Sequence, residues 1–155
     1  MNESRVKVVI KNKIAHVKLN RAEKLNALDL DMFLSIKKTI KTLKSDRNIR
    51  VIILSGEGKS FCSGLDVKSM MSSGHNMRKL LFQFLPWQAN LAQIVSTAWR
   101  DIPVPVICAI HGKCWGGGLQ IALGADFRFA TPDCSLSIME GKWGLIPDMG
   151  GTLAF

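Results

Sequence analysis

No window of the sequence approaches the roughly 20 uninterrupted apolar residues that a membrane helix needs, because Lys, Arg, Asp or Gly breaks every candidate. That excludes a spanning helix and predicts a soluble domain. Cysteine is scarce, and Cys62, Cys108, Cys114 and Cys134 form no C-x-x-C pair and have no histidine at ligand spacing. No secretory leader precedes them, so reduced thiols in a cytoplasmic protein are expected, with no metal site. Internal repeats and low-complexity segments are absent. Acidic residues are also few, 12 Asp and Glu against 21 Lys and Arg, and the formal charge of +9 favours anionic partners without choosing among nucleic acid, anionic lipid and a phosphorylated cofactor. The basic residues form no long run. Their densest group, Lys37, Lys38, Lys41 and Lys44, falls at helical spacing and reads as a solvated helix face. No aromatic-basic recognition motif accompanies them, so nucleic acid is not the expected partner.

What is present is an apolar fraction of 47% in 155 residues, enough for one compact domain over residues 1–155. Residues 6–10 and 14–19 alternate β-formers with polar residues around Lys11-Asn12-Lys13, which predicts a hairpin. Asp29 is a candidate N-cap for a helix to about Ser45, with Leu30, Phe33, Leu34, Ile40 and Leu43 on its buried face. Residues 51–54 read as a short strand buried on both sides, followed by a glycine-rich loop, 56–64. A polar stretch, 71–76, reads as mobile, and 77–99 as largely helix bent at Pro86. A second buried strand at 106–110 leads to His111-Gly112-Lys113-Cys114-Trp115-Gly116-Gly117-Gly118 and a short helix from Leu119, and 127–130 reads as another strand. Strand and helix alternate, which predicts an α/β domain whose loops at strand ends carry the chemistry.

Two tempting motifs fail. Gly58-Lys59-Ser60 follows a strand, but a phosphate loop needs glycine five positions before Gly58, where Ile53 stands. Cys114 lies three residues after His111, yet nothing orients the imidazole or marks the thiol as ionised, so structural filler is the reading. The glycine run at 116–118 means more: bare backbone lets N–H groups approach a ligand at a helix start. A second loop, Ser60-Phe61-Cys62-Ser63-Gly64-Leu65-Asp66, follows another buried strand and can present a further amide across a pocket. Two amides make an oxyanion hole.

Taken in order, Asn20-Arg21, Leu25-Asn26-Ala27-Leu28, Phe61-Cys62-Ser63-Gly64-Leu65-Asp66, Gly116-Gly117-Gly118 and Gly144-Leu145-Ile146-Pro147-Asp148-Met149-Gly150-Gly151-Thr152 resemble the signature of the crotonase family, the enoyl-CoA hydratases and isomerases. The resemblance covers that family's N-terminal core. It implies an α/β fold with a ββα spiral core that lacks the family's C-terminal helical part, since the chain stops at Phe155 with no closing element in the pattern. It implies that the backbone amides of Leu65 and Gly117 hold a thioester oxygen and that Glu140 exchanges protons with the substrate. Ser63, through its backbone, is expected to help seat the adenine of coenzyme A, with Lys24 and Lys68 meeting its phosphates and Asp66, Gly116 and Gln120 lining the acyl-CoA site. Coenzyme A is part of the substrate, so no separate cofactor is expected. A homotrimer or dimer of trimers is implied for the complete fold, and the short chain is expected to expose apolar surface.

One departure bears on the reaction. The family's hydratases use a second glutamate two residues beyond the third glycine of the turn, where this chain has Gln120, an amide that cannot take a proton from water. Asp148 is the candidate replacement partner for Glu140, in the manner of some isomerising members; the competing reading makes Asp148 a helix or turn cap. The pattern leans to double-bond isomerisation in an acyl-CoA. Enoyl-CoA hydration is the alternative, and an inactive or merely CoA-binding fragment the third reading. Trp87, Trp99 and Trp143 are expected to form apolar walls.

Overall fold

The computed structural model describes residues 4–153 except Phe84 and Pro86. Its framework is a five-stranded sheet in the order β1-β2-β3-β4-β6, formed by Val6–Lys11 (β1), Ile14–Leu19 (β2), Val51–Gly56 (β3), Val106–Ile110 (β4) and Phe127–Ala130 (β6). β1 and β2 are the expected antiparallel hairpin, turning through Asn12 and Lys13 at φ of 51° and 65°. From β2 onward all pairs are parallel, so each crossover returns the chain to the same sheet end.

Burial alternates along β2 and β4 as a half-covered sheet requires: Ala15, Val17 and Leu19, then Val106, Cys108 and Ile110, face the core. β3 departs from expectation. Ile52 and Leu54 are fully buried, but Val51 and Ile53 are only partly covered, so helices close one face and not both.

The helix Leu30–Ser45 (α1) begins at Asp29, whose carboxylate accepts the Met32 amide at 2.8 Å, as its N-cap position predicts. Its buried stripe is Met32, Phe33, Ile36, Ile40 and Leu43; Leu34 points outward at 42% exposure, one position off the predicted face. Lys37, Lys38, Lys41 and Lys44 are exposed on the opposite side.

The region 67–101, including the 77–99 stretch read as largely helix, is not one long helix. It holds Val67–Met71 (α2), Gly74–Leu81 (α3) and Leu91–Thr97 (α4), followed by a 3-10 turn Ala98–Asp101. Ser73 caps α3 through the His75 amide, so the end of the 71–76 polar stretch is helical. An Asn90–Gln93 capping box starts α4 afresh. The predicted bend at Pro86 lies outside the described residues. Trp99 is 1% exposed and hydrogen-bonded to the Val95 carbonyl, making it a core residue and not a pocket wall, while Trp87 and Trp143 are 79% and 69% exposed.

Two strands escaped the sequence reading. Lys113–Trp115 (β5) and Ser135–Ser137 (β7) pair in parallel as a separate ribbon, and the helix Gly117–Leu123 (α5) starts two residues earlier than expected. Three-residue strands carry no usable periodicity. Beyond this ribbon, Phe127, Phe129, Leu136, Leu145 and Ile146 are 54–77% exposed, the apolar surface foreseen for this chain.

Candidate active site

The site begins with a register. Cys62 bridges Cys114 in parallel: its amide donates to the Lys113 carbonyl at 3.0 Å and its carbonyl accepts the Trp115 amide at 3.0 Å. Two parallel segments that start level stay level. Three residues on, the first reaches Leu65 and the second Gly117. The approach is close enough that a β-carbon added at Gly64 would sit 3.7 Å from the Gly117 nitrogen and 2.9 Å from the Trp115 carbonyl oxygen. Gly64 also holds φ at +92°, a conformation L side chains rarely adopt.

Neither amide at the end of this register is consumed by the fold. Among the described residues, the Leu65 N–H donates to no protein oxygen, although its neighbours are fixed by Leu28 N–H to Gly64 O (2.8 Å) and Asp66 N–H to Leu28 O (3.0 Å). The Gly117 N–H opens α5 and has no intrahelical acceptor. Two fixed, unpaired donors thus stand side by side.

The β5–β7 ribbon supplies the carboxylate. The Gly116 amide donates to the Ser137 carbonyl at 2.8 Å, and three residues past Ser137 comes Glu140, in a 3-10 turn Met139–Trp143. A β-carbon at Gly116 would lie 3.6 and 3.7 Å from the two Glu140 oxygens, ordinary van der Waals contact that places the carboxylate against this turn, and it is the φ of +50° that favours glycine there. Glu140 Oε1 accepts the Gln120 side-chain amide at 2.6 Å; Oε2 is buried and, among the described residues, has no protein partner. An unpaired buried carboxylate oxygen is costly unless a ligand group meets it.

Gln120 itself is 2% exposed, and its Oε1 accepts the Met149 and Gly151 amides at 3.0 Å each. The structure therefore brings Gln120, Glu140 and Gly116 together, while the Cys62–Cys114 register carries the Gly64–Leu65 step up to Gly117. Asp148 reaches this cluster by its backbone: it immediately precedes Met149, and its carbonyl accepts from Gln93 at 3.5 Å. Its carboxylate is exposed and, among the described residues, caps nothing and pairs with nothing.

Asp66 needs correction. It was expected to line the acyl-CoA site, but its carboxylate faces the protein, capping α2 through the Ser69 amide at 3.1 Å and pairing with Arg21 at 2.8 Å. Burial alone would raise its pKa, yet the Ser69 amide and the Arg21 guanidinium outweigh burial and hold it below the usual carboxylate range. A carboxylate with a folded-state pKa below its unfolded value stabilises the fold above that unfolded value and loses the effect as pH falls through the folded one. Asp66→Asn is accordingly expected to be less stable than the parent at pH 7, the gap closing in the acid range below pH about 4; urea denaturation at a series of pH values measures it.

Arg21 and Asn26, both in the motif, are the scaffold of the first loop. Asn26, fully buried at φ +55°, accepts the Arg21 amide and donates to the carbonyls of Glu57 and Ser60. An asparagine tolerant of this backbone was the available signal. The remaining predicted contacts sit at the rim. Lys24 and Lys68 are exposed on either side of the 63–66 loop, and the Ser63 amide is tied to the Leu25 carbonyl at 3.0 Å. Cys114 is buried and its thiol pushed up by desolvation, while His111 Nε2 lies 2.9 Å from the Gly58 carbonyl oxygen; no nucleophile pair forms.

The sequence profile for enoyl-CoA hydratase/isomerase matches residues 14–155, nearly the whole of the chain that carries this geometry. The chain belongs to that family. It is 37% identical over 142 residues to the peroxisomal Delta(3,5)-Delta(2,4)-dienoyl-CoA isomerase of Arabidopsis thaliana, covering 88% of this chain and 51% of that protein. To the mitochondrial methylglutaconyl-CoA hydratase of Mus musculus it is 33% identical over 135 residues, with coverages of 86% and 41%. The crystal structure of an enoyl-CoA hydratase from Mycobacterium smegmatis superposes with a TM-score of 0.84 at 26% identity, over 98% of this chain and 57% of that one. The chain spans about half the length of the curated relatives it matches. Among the described residues no helix is long and apolar enough to cross a membrane, and no cluster of metal-ligating side chains occurs.

Proposed function

We propose that this site binds an acyl-CoA thioester, holds its carbonyl oxygen between the Leu65 and Gly117 amides, and moves a double bond by shuttling a proton on Glu140. The observation that supports this most is the lone oxygen of Glu140, buried without a partner among the described residues and packed against the Gly116 turn that leads into the Gly117 amide. In the reaction the C–H bond at the α- or γ-carbon breaks as Oε2 takes the proton, and the electron pair moves onto the thioester oxygen, where the two donors meet the developing charge. The same proton returns to the other end of the conjugated system, so one carboxylate suffices and no water is consumed.

Migration is favoured over water addition because the group hydrogen-bonded to Glu140 is an amide and not a second carboxylate. Lys24 and Lys68 flank the loop and supply positive charge for the phosphates of coenzyme A. Assembly into a homotrimer, covering the exposed face around Phe127 and Phe129, belongs to the same proposal. The test is an assay of β,γ- and α,β-unsaturated acyl-CoA in parallel, with oligomeric state measured by light scattering. Migration without water addition is the expected result. Efficient water addition would transfer the reading to a hydratase, and binding without turnover of either substrate to a non-catalytic fragment.

A further inference from the structure

We infer that Gln120 is the positioning residue of this site, a strut that fixes which oxygen of Glu140 reacts and ties it to the 149–151 segment. The inference rests on the proton-shuttling role proposed for Glu140 and adds to it a cause for the carboxylate's orientation.

The geometry uses every polar atom of one side chain. Nε2 donates to Glu140 Oε1 at 2.6 Å, short for an amide donor and typical of a charged acceptor. Oε1 accepts from both Met149 and Gly151 at 3.0 Å, which fixes the amide's orientation: a flip would set Nε2 against two N–H donors and its oxygen against a carboxylate. Gln120 is therefore locked, being 2% exposed with its own carbonyl held by the Ser96 hydroxyl. A locked donor on Oε1 leaves Oε2 as the carboxylate oxygen without a protein partner among the described residues, the one we assign to the substrate proton. A β-carbon at Gly151 would lie 3.0 Å from Gln120 Oε1, so any side chain there would press the strut out of place.

Three measurements test the strut. The first does not depend on turnover: in the intact chain the Gln120 side-chain amide protons are expected to exchange slowly by NMR, and to lose that protection in Glu140→Ala. The second compares migration kinetics of a short-chain β,γ-unsaturated acyl-CoA. Gln120→Met removes donor and acceptor together and is expected to lower kcat about tenfold with little change in KM. The third separates orientation from folding. Gln120→Glu keeps an acceptor for Met149 and Gly151 but sets two carboxyl groups against each other, where they titrate as a pair, so its pH–rate profile is expected to gain a limb that the parent lacks.

Fast amide exchange in the parent would overturn the strut whatever the activity. So would a Gln120→Glu profile that superimposes on the parent's, or a Gln120→Met loss confined to KM. A protected amide in a chain that turns over no acyl-CoA would sink the proton-shuttle reading and leave the contact standing.

Discussion

Glu140→Gln is expected to lower kcat for double-bond migration by about a thousandfold, while acyl-CoA still binds with an affinity within about twofold of the parent's. The substitution is chosen to change charge and little else. Its new carbonyl oxygen can accept from the Gln120 Nε2 as Oε1 does now, so the link to Gln120 and to the Met149 and Gly151 amides is retained. Contact with the Gly116 turn is likewise unaffected, because the replaced group has the same size. What disappears is the base on the partnerless oxygen. The Leu65 and Gly117 amides, the proposed thioester contacts, are untouched, so the loss is expected to fall on kcat and not on binding. Isothermal titration with a saturated acyl-CoA and steady-state kinetics with a β,γ-unsaturated one separate the two. Full turnover by Glu140→Gln would sink the assignment, and a loss of binding equal to the loss of rate would recast Glu140 as a structural residue.

The elements that sequence made legible are those with a long period or a strong local signal. The hairpin, the Asp29 cap and the parallel strands all declare themselves through alternation, capping chemistry or bounding prolines. What was illegible shares a cause: it is decided by tertiary contact. The three-residue strands β5 and β7 exist because they pair with each other, and the start of α5 is set by Gly116 at φ +50°, which propensity cannot locate. Leu34 fell on the wrong side because the buried stripe drifts to Met32 and Ile36. The candidate site divides in the same way. An amide nitrogen has no side-chain signature, so Leu65 and Gly117 were legible only through the resemblance of their motifs. Glu140 was found the same way, whereas its link to Gln120 needed the ribbon that brings residues twenty apart within 2.6 Å. Asp66 was misread because its motif position suggests the pocket, while Arg21 draws the carboxylate inward.

The register that sets Leu65 beside Gly117 makes a prediction about a residue that touches no substrate. Gly118→Ala is expected to lower kcat about a hundredfold and to cost about 2 kcal/mol of stability. The added β-carbon would lie 2.6 Å from the Cys62 carbonyl oxygen, 2.7 Å from its Cβ and 2.9 Å from its Sγ. None of these can step aside cheaply. Cys62 is fully buried, its amide and carbonyl are both held by β5, and its thiol sits 3.1 Å from the Asn26 carbonyl in a site where burial pushes its pKa up to about 12. Relief must come from α5 moving off the 62–65 segment, and that motion spreads the two donors proposed to meet the thioester oxygen. The control is Gly141→Ala, next to Glu140 in sequence, where an added β-carbon meets nothing within 4 Å; its kcat is expected to stay within about twofold of the parent's. If Gly118→Ala folds and turns over as the parent does, the spacing of the two loops is not what the rate depends on, and the Leu65 and Gly117 amides lose their assigned role.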